Sequence, residues 1–335
     1  MLKENRVAMK PNVKVIVIGG TITMTPQKSG GIAPSLTGED LISAIPQLVE
    51  IATVDVITPF LVPGASLTFE QMSRVAVLIK ASAHGNVDGV VIAQGTDTID
   101  ETAFLLDLVV GAGDPTLVVT GAMRGATAPG ADGHANIVSA ITVAASARAR
   151  GLGTLVVLND EVHAACFVQK MDTGLPSAFM SPGIGPIGSV SEGRFRLHTK
   201  PAISRPKTLD RLAAAPVAIV KTGLGDDGRL LDVLPELGFR GAIIEATGAG
   251  HVPQQIVERL AKLVEYMPVV LATRVPAGPV FNASHGFPGS EMDLIGRGLI
   301  PAGLLPPHKA RLLLACLVGS DLSLDEIKAQ FRVFA

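Results

Sequence analysis

Two short segments each place a hydroxyl directly after an apolar run that breaks at glycine. One is Val15-Ile16-Val17-Ile18-Gly19-Gly20-Thr21; the other is Val90-Val91-Ile92-Ala93-Gln94-Gly95-Thr96-Asp97-Thr98. An apolar run bounded by glycine reads as a buried strand. Glycine also permits a sharp turn and the close approach of a ligand. The two strands thus deliver Thr21 and Thr96 to one edge of a sheet, where open α/β folds hold their ligands. Threonine is a weak nucleophile until a base takes its proton. Asp97 stands beside the second hydroxyl, and Lys170 follows Asn159-Asp160-Glu161 at the end of another apolar strand. A lysine in that position is ordinarily solvated, so its functional reading requires that it lie next to Thr96 and Asp97. A lysine neutralised by burial accepts the Thr96 proton while Asp97 tunes its charge. The three then form a nucleophile, base and orienter set.

The neighbouring residues narrow the chemistry. No Gly-Lys-Thr/Ser follows Gly19-Gly20, and no Gly-x-Gly-x-x-Gly follows this strand, so neither a phosphate loop nor a dinucleotide site is indicated. Thr23 to Gly31 is polar and glycine-rich, which suits a mobile flap over a site, with Thr25 and Lys28 on it. Asp100 and Glu101 begin a predicted helix and suit its N-terminal dipole. His134, His163, His251, His285 and His308 show no His-Glu-x-x-His spacing, so no catalytic metal is expected.

The elements that must position these groups alternate in type. Strands are predicted over Val13–Ile18, Val54–Ile57, Gly89–Ala93, Thr116–Thr120 and Gly153–Leu158. Helices are predicted over Gly38–Ile45, Thr68–Ala83, Asp100–Gly111 and Gly133–Arg150. Thr68 with Glu70 and Gln71 marks a helix start. Such alternation implies a parallel sheet covered by helices. From Gly183 to Ala215 the pattern dissolves into Pro, Gly, Ser and basic residues and reads as a surface connection. A shorter alternation follows: strands at Val217–Lys221, Gly241–Ala246 and Val269–Ala272, helices near Asp226–Leu237, Pro253–Tyr266 and Pro306–Leu317, and a last one at Ser323–Phe331. The expected organisation is an N-terminal α/β domain over 1–195, a linker over 196–215 and a smaller C-terminal α/β domain over 216–335.

Bulk properties exclude several classes. With 335 residues, 47% of them hydrophobic and 17% charged, the chain can bury large cores and is not of disordered type. A net charge of -2 argues against a nucleic-acid footprint. Cys166 and Cys316 are the only cysteines, too few for a disulfide framework or a cysteine-rich zinc site. No stretch approaches the roughly 20 apolar residues of a membrane span, and Val13–Ile18, interrupted by Lys14, is too short for a signal segment. A cytoplasmic protein with no membrane partner is expected.

Taken in order, these pieces resemble the bacterial L-asparaginase/glutaminase family. The matching residues are Gly19-Gly20-Thr21, Gly95-Thr96-Asp97-Thr98 with Asp100-Glu101-Thr102-Ala103, Thr120-Gly121-Ala122-Met123-Arg124, Ala131-Asp132-Gly133, and Asn159-Asp160-Glu161 running to Lys170. Thr247-Gly248-Ala249-Gly250 and Arg274-Val275-Pro276-Ala277-Gly278 continue the match, which spans nearly the whole chain. The resemblance implies a two-domain α/β fold, with a larger N-terminal doubly wound sheet and a smaller C-terminal domain. It implies a homodimer or homotetramer with interfacial sites, and amide hydrolysis through a threonine acyl-enzyme without a cofactor. By resemblance Thr21 is the primary nucleophile, Thr96 and Lys170 are the second threonine and its lysine, and Asp97 receives the substrate amino group. Gly20, Gly64, Ala65, Ser66, Gly95 and Ala122 line the substrate, with oxyanion donors sought around Thr96 and Ala122. His285 and Glu291 are candidates for a contribution from a partner subunit.

The departures from the family pattern cluster around recognition. The flap lacks the usual tyrosine, since the only one is Tyr266, and Thr25 or Lys28 are the substitutes at hand. Gly64 and Ala65 stand where a serine and a polar neighbour usually hold the substrate α-carboxylate, with Ser66 adjacent. A lost hydrogen bond to a charged group costs about 1.5–3 kcal/mol, or about tenfold to a hundredfold in binding. Gln94 replaces the usual histidine; Ala249 and His251 stand where asparagine is frequent. Three functions follow: hydrolysis of L-asparagine to L-aspartate and ammonia, hydrolysis of a different small amide or lactam, and ligand binding without turnover.

Overall fold

The structure, a computed structural model, describes residues 10–26, 30–111, 113, 115–200, 206 and 209–335. The chain divides into two units, Met1–Pro201 and Ala202–Ala335.

The first unit is organised by the strand β1 (Asn12–Val17). After it come a short hairpin, β2 (Met24–Pro26) and β3 (Ile32–Pro34), two short helices, α1 (Gly38–Ser43) and α2 (Leu48–Ile51), and β4 (Thr53–Ile57). Then α3 (Phe69–Ala83), β5 (Gly89–Gln94), α4 (Ile99–Val110), β6 (Thr116–Gly121), α5 (Gly133–Ala144) and β7 (Leu155–Leu158) alternate as expected. Thr68 caps α3 by accepting from the Gln71 amide, while the Gln71 side chain accepts from the Thr68 amide. β5, β6 and β7 are buried at every position. This is the pattern of inner strands covered on both faces. β1 pairs in parallel with β4 on one side and β5 on the other, and β5, β6 and β7 continue the parallel ladder.

Beyond β7 the sheet changes direction. β8 (Glu161–Ala164) returns antiparallel to β7. A two-stranded ribbon, β9 (Gln169–Lys170) with β10 (Phe179–Met180), branches off. The hairpin β11 (Gly188–Ser191) and β12 (Arg194–Leu197) completes an eight-stranded mixed sheet, ordered β12-β11-β8-β7-β6-β5-β1-β4. This corrects the reading of 183–215 as a plain connection. Glu192 (φ 51°) and Gly193 (φ 66°) both adopt left-handed backbone, the two-residue turn that matches strand twist. Val190 opposite Phe195 then supplies the pairing that a polar composition hid.

The second unit carries a four-stranded parallel sheet in sequence order: β13 (Val217–Lys221), β14 (Gly241–Ala246), β15 (Val269–Thr273) and the two-residue β16 (Ile300–Pro301). The helices are α6 (Val257–Tyr266), α7 (Glu291–Gly296), α8 (Pro307–Gly319) and α9 (Leu324–Arg332). Ile244, Leu260, Val269 and Leu271 lie in its core. Ser323 starts α9 with a capping box to Glu326. The helix expected over Asp226–Leu237 is replaced by a 3-10 segment, Arg229–Val233. Gly225 and Gly228 have positive φ, and Pro235 withholds a helix donor. No helix among the described residues is long and apolar enough to cross a membrane.

Candidate active site

The register of β1 on β5 brings the two threonine segments together. Val17 lies opposite Ala93, and Ile18 N–H continues the ladder to the Ala93 carbonyl at 2.9 Å. Beyond that point the backbones themselves touch. A methyl group on Gly20 would stand 2.0 Å from the Gly95 nitrogen; one on Gly95 would stand 2.7 Å from the Gly64 nitrogen; one on Gly64 would stand 2.8 Å from the Gly95 oxygen. Gly20 also has φ 89°, a left-handed conformation that glycine adopts freely. Three glycines from separate loops therefore pack backbone against backbone. Each of the first two directly precedes a threonine, so Thr21 and Thr96 emerge from one junction.

Thr21 is half-buried at the start of a 3-10 turn, Thr21–Thr23. The buried Thr23 hydroxyl donates to the Gly20 carbonyl at 2.9 Å and fixes that turn. Thr96 is buried at the start of a matching turn, Thr96–Thr98. The Lys170 Nζ lies 2.9 Å from Thr96 Oγ1 and 2.7 Å from Asp97 Oδ1. The lysine side chain is 17% exposed and that of Asp97 65%. The amine therefore sits largely sheltered between a buried hydroxyl and a carboxylate open to solvent. The buried Asp100 carboxylate accepts the Lys170 amide at 3.2 Å and anchors the backbone of β9.

The sequence named Gln94, Thr98 and Asp132 without a positioning role and did not single out Asn136; the structure gives each one. Thr98 Oγ1 donates to the Gly64 carbonyl at 3.0 Å and pins the Gly64–Ser66 turn to the Thr96 turn. Gln94 Nε2 lies 3.3 Å from Thr98 Oγ1 and 3.2 Å from the Gly95 carbonyl. Asp132 accepts from the Met123 and Arg124 amides at 3.0 and 2.9 Å, and Asn136 Nδ2 donates to the Gly121 carbonyl at 2.9 Å. These two residues hold the loop that carries buried Ala122. Their i, i+4 spacing at the start of α5 was the available signal.

Of the other expected residues, Ala65 and Ser66 are exposed on their turn. Thr25 lies on β2, where its hydroxyl meets that of Ser35 at 2.7 Å. Lys28 lies outside the described residues. Tyr266 is exposed at the end of α6. His285 and Glu291 belong to the second unit, where the Glu291 carboxylate is fully buried and engaged. Its Oε1 accepts from the Ser284 and His285 amides at 3.0 and 2.7 Å and meets His285 Nδ1 at 3.2 Å; its Oε2 meets His251 Nε2 at 3.1 Å. Burial alone would raise its pKa. The backbone N–H groups of His285, Glu291 and Ser284, with the His285 ring, outweigh burial and bring it down to about 2.

Residues 12–203 match the family profile described as "Asparaginase, N-terminal", and residues 216–331 match "Glutaminase/Asparaginase C-terminal domain". The chain belongs to the asparaginase family. A protein of Deinococcus radiodurans named probable L-asparaginase is 35% identical, over 97% of this chain and 98% of that one. An L-asparaginase of Bacillus licheniformis is 30% identical, over 93% and 97% respectively. The crystal structure of a probable cytoplasmic L-asparaginase from Campylobacter jejuni superimposes with a TM-score of 0.85 at 28% identity, covering 96% of this chain and 99% of that chain. In this asparaginase-family chain the match embraces both threonine turns and the Lys170 ribbon, so the chain is an amidohydrolase by family and the polar set above lies inside the matched region.

Proposed function

We propose that the protein hydrolyses L-asparagine to L-aspartate and ammonia through an acyl-enzyme, with Thr21, Thr96, Asp97 and Lys170 as its catalytic residues. The observation that carries this reading is the Lys170 amine at hydrogen-bond distance from both the Thr96 hydroxyl and the Asp97 carboxylate. In the proposed sequence the Thr21 oxygen attacks the side-chain amide carbon. The oxyanion is stabilised by N–H donors around Thr96 and Ala122. The proton given up by the Thr21 hydroxyl passes to the amide nitrogen, the C–N bond breaks and ammonia leaves. Water, deprotonated through Thr96 and Lys170, attacks the resulting ester, and Thr21 recovers its proton as aspartate departs. Asp97 receives the substrate ammonium, which competes with Lys170 for the same carboxylate.

Ammonia release from asparagine should collapse in both Thr21→Ala and Thr96→Ala. Wild-type-like turnover in either variant would remove that residue from the mechanism.

One observation favours a second reading, an amide that lacks a free α-carboxylate. Gly64 has no room for a side chain and Ala65 has no polar atom, so Ser66 is the remaining hydroxyl of that turn. A panel of asparagine, glutamine, their D-forms and uncharged analogues separates the two, since a clear preference for asparagine rejects the second.

A cytoplasmic homodimer or homotetramer completes the proposal, with His285 or Glu291 supplied to a neighbouring subunit's site. The four contacts already made by Glu291 favour the half-exposed His285 for that role. Light scattering of the purified chain tests the assembly.

A further inference from the structure

Lys170 carries its amine on a flexible four-carbon stem, so where that amine stands depends on how firmly its backbone is held. The strand beneath it, β9, is two residues long. Its ribbon pairs Lys170 with Phe179 and Gln169 with Met180, and the Met171 N–H donates to the Ala178 carbonyl at 2.7 Å. A two-stranded ribbon is marginal on its own. The Asp100 carboxylate secures the β9 side, and the β10 side needs an anchor as well. Ser181, directly after β10, provides it. Its Oγ meets His163 Nδ1 at 3.0 Å, while its carbonyl accepts from the Ile184 and Gly185 amides at 3.1 and 2.8 Å.

His163 is a fixed point for that contact. It lies on β8 opposite Val156 of β7, and its neighbours Val162 and Glu161 pair with β11. Its backbone therefore belongs to the eight-stranded sheet. His163 is 1% exposed and Ser181 4%. Glu161, on the same face of β8, brings a carboxylate oxygen to 3.5 Å from His163 Nε2. A carboxylate only accepts, so it draws the ring proton to Nε2 and leaves Nδ1 to accept from the Ser181 hydroxyl. Two buried polar side chains cost desolvation that an apolar pair avoids. What the polar pair adds is direction, because a hydrogen bond fixes both a distance and an angle.

We propose that His163 is a positioning residue for the hydrolysis. Through Ser181 it fixes the end of β10, and through the Phe179–Lys170 pairing it fixes the backbone from which the Lys170 amine reaches Thr96 and Asp97. The proposal rests on the catalytic role proposed for Lys170. It extends that role from the groups in contact with the amine to the strand that aims it.

The test is a mutant cycle on the full-length chain, read as ammonia release from L-asparagine, with circular dichroism reporting the fold of each variant. His163→Leu and Ser181→Ala should each lower kcat about tenfold, since a full 1 Å misplacement costs about a hundredfold. The double variant should lose no more than either single one, because both break the same contact. His163→Asn keeps an acceptor near the place of Nδ1 and should hold kcat close to wild type. In a Lys170→Met background, His163→Leu should lower the residual rate no further. Wild-type kcat in folded His163→Leu, or an equal loss in the Lys170→Met background, would overturn the positioning role and leave the role of Lys170 standing. Wild-type turnover in Lys170→Met itself would remove both. If His163→Leu fails to fold, Ser181→Ala takes its place. If the Lys170→Met rate falls below detection, equal losses in His163→Leu and His163→Asn would overturn the proposal.

Discussion

Gly20→Ala tests the junction on which the proposed chemistry depends. The added methyl carbon would stand 2.0 Å from the Gly95 nitrogen and 2.1 Å from its Cα, while the backbone holds φ 89°. Ordinary contact begins near 3.4 Å. The two loops must therefore separate by 3.4 − 2.0, about 1.4 Å, and both atoms struck are backbone, which has no rotamer to yield. With ψ -176° this backbone lies in a region essentially reserved to glycine, and an alanine held there costs about 1–3 kcal/mol whatever the space. A misplacement near 1 Å costs about a hundredfold in rate, so kcat for asparagine should fall at least about a hundredfold. Gly151→Ala is the control: it has φ +74° and nothing within 4 Å. It should lose similar stability to strain and keep its kcat. The assay is ammonia release alongside thermal unfolding of both variants. A folded Gly20→Ala enzyme with wild-type kcat would refute the argument that this contact aligns Thr21 with Thr96.

Three further outcomes follow from the same geometry. Lys170→Met removes the amine that touches Thr96 and Asp97; kcat should fall by about 10²–10⁴, the range of general acid–base catalysis, and a smaller loss in steady-state kinetics would deny Lys170 the role of base. Thr98→Val deletes the hydrogen bond to the Gly64 carbonyl, worth about 1 kcal/mol. It should raise KM more than it lowers kcat by loosening the Gly64–Ser66 turn, and an unchanged KM would show that the turn does not contact substrate. Burial pushes the Cys316 thiol up to about 12, against a smaller opposing pull from Arg311. The native thiol should thus resist iodoacetamide at pH 8.5 and react once unfolded; because its folded pKa lies above the ordinary 9.0, this group's stabilising contribution is present below pH 9 and fades as pH climbs toward 12.

The parts of the fold that were legible in the sequence are those where one signal dominates. β5 and β6 are buried at every position and carry compact apolar runs, Val90–Ala93 and Leu117–Val119, which need no partner to be recognised. α3 and α9 begin at capping boxes that depend on four consecutive residues. The elements that escaped depend on distant partners or on backbone conformation. β11 and β12 carry Ser-Val-Ser and Arg-Phe-Arg, which alternate over too short a length to register. Their pairing is set by a left-handed turn at Glu192-Gly193 and by docking on β8. β9 is two residues long, so Lys170 has no strand signature and is placed by Asp100 and by its ribbon partner, not by its own neighbours in sequence.

The site divides along the same line. Thr21, Thr96 and Asp97 stood out in the sequence because they follow closely on the glycine that ends an apolar run, and the loops after strand ends are where a fold of this class gathers its ligands. What holds them was not legible, because Gly20, Gly64 and Gly95 act through the absence of a side chain, and a glycine in sequence does not say which backbone lies against it. That distinction bears on the departures near Gly64. A missing hydroxyl at this position looks in sequence like a lost contact awaiting compensation by a shifted loop. In three dimensions the Gly95 oxygen already occupies the space that a Gly64 side chain would need, and Thr98 bonds the carbonyl of the same residue. A side chain at 64 thus requires the Gly64 and Gly95 loops to stand several tenths of an ångström further apart than they do in this chain. Glycine at 64 goes with the close spacing of the three loops, while Ala65 and Ser66 are exposed on the turn and Ser66 carries its remaining hydroxyl.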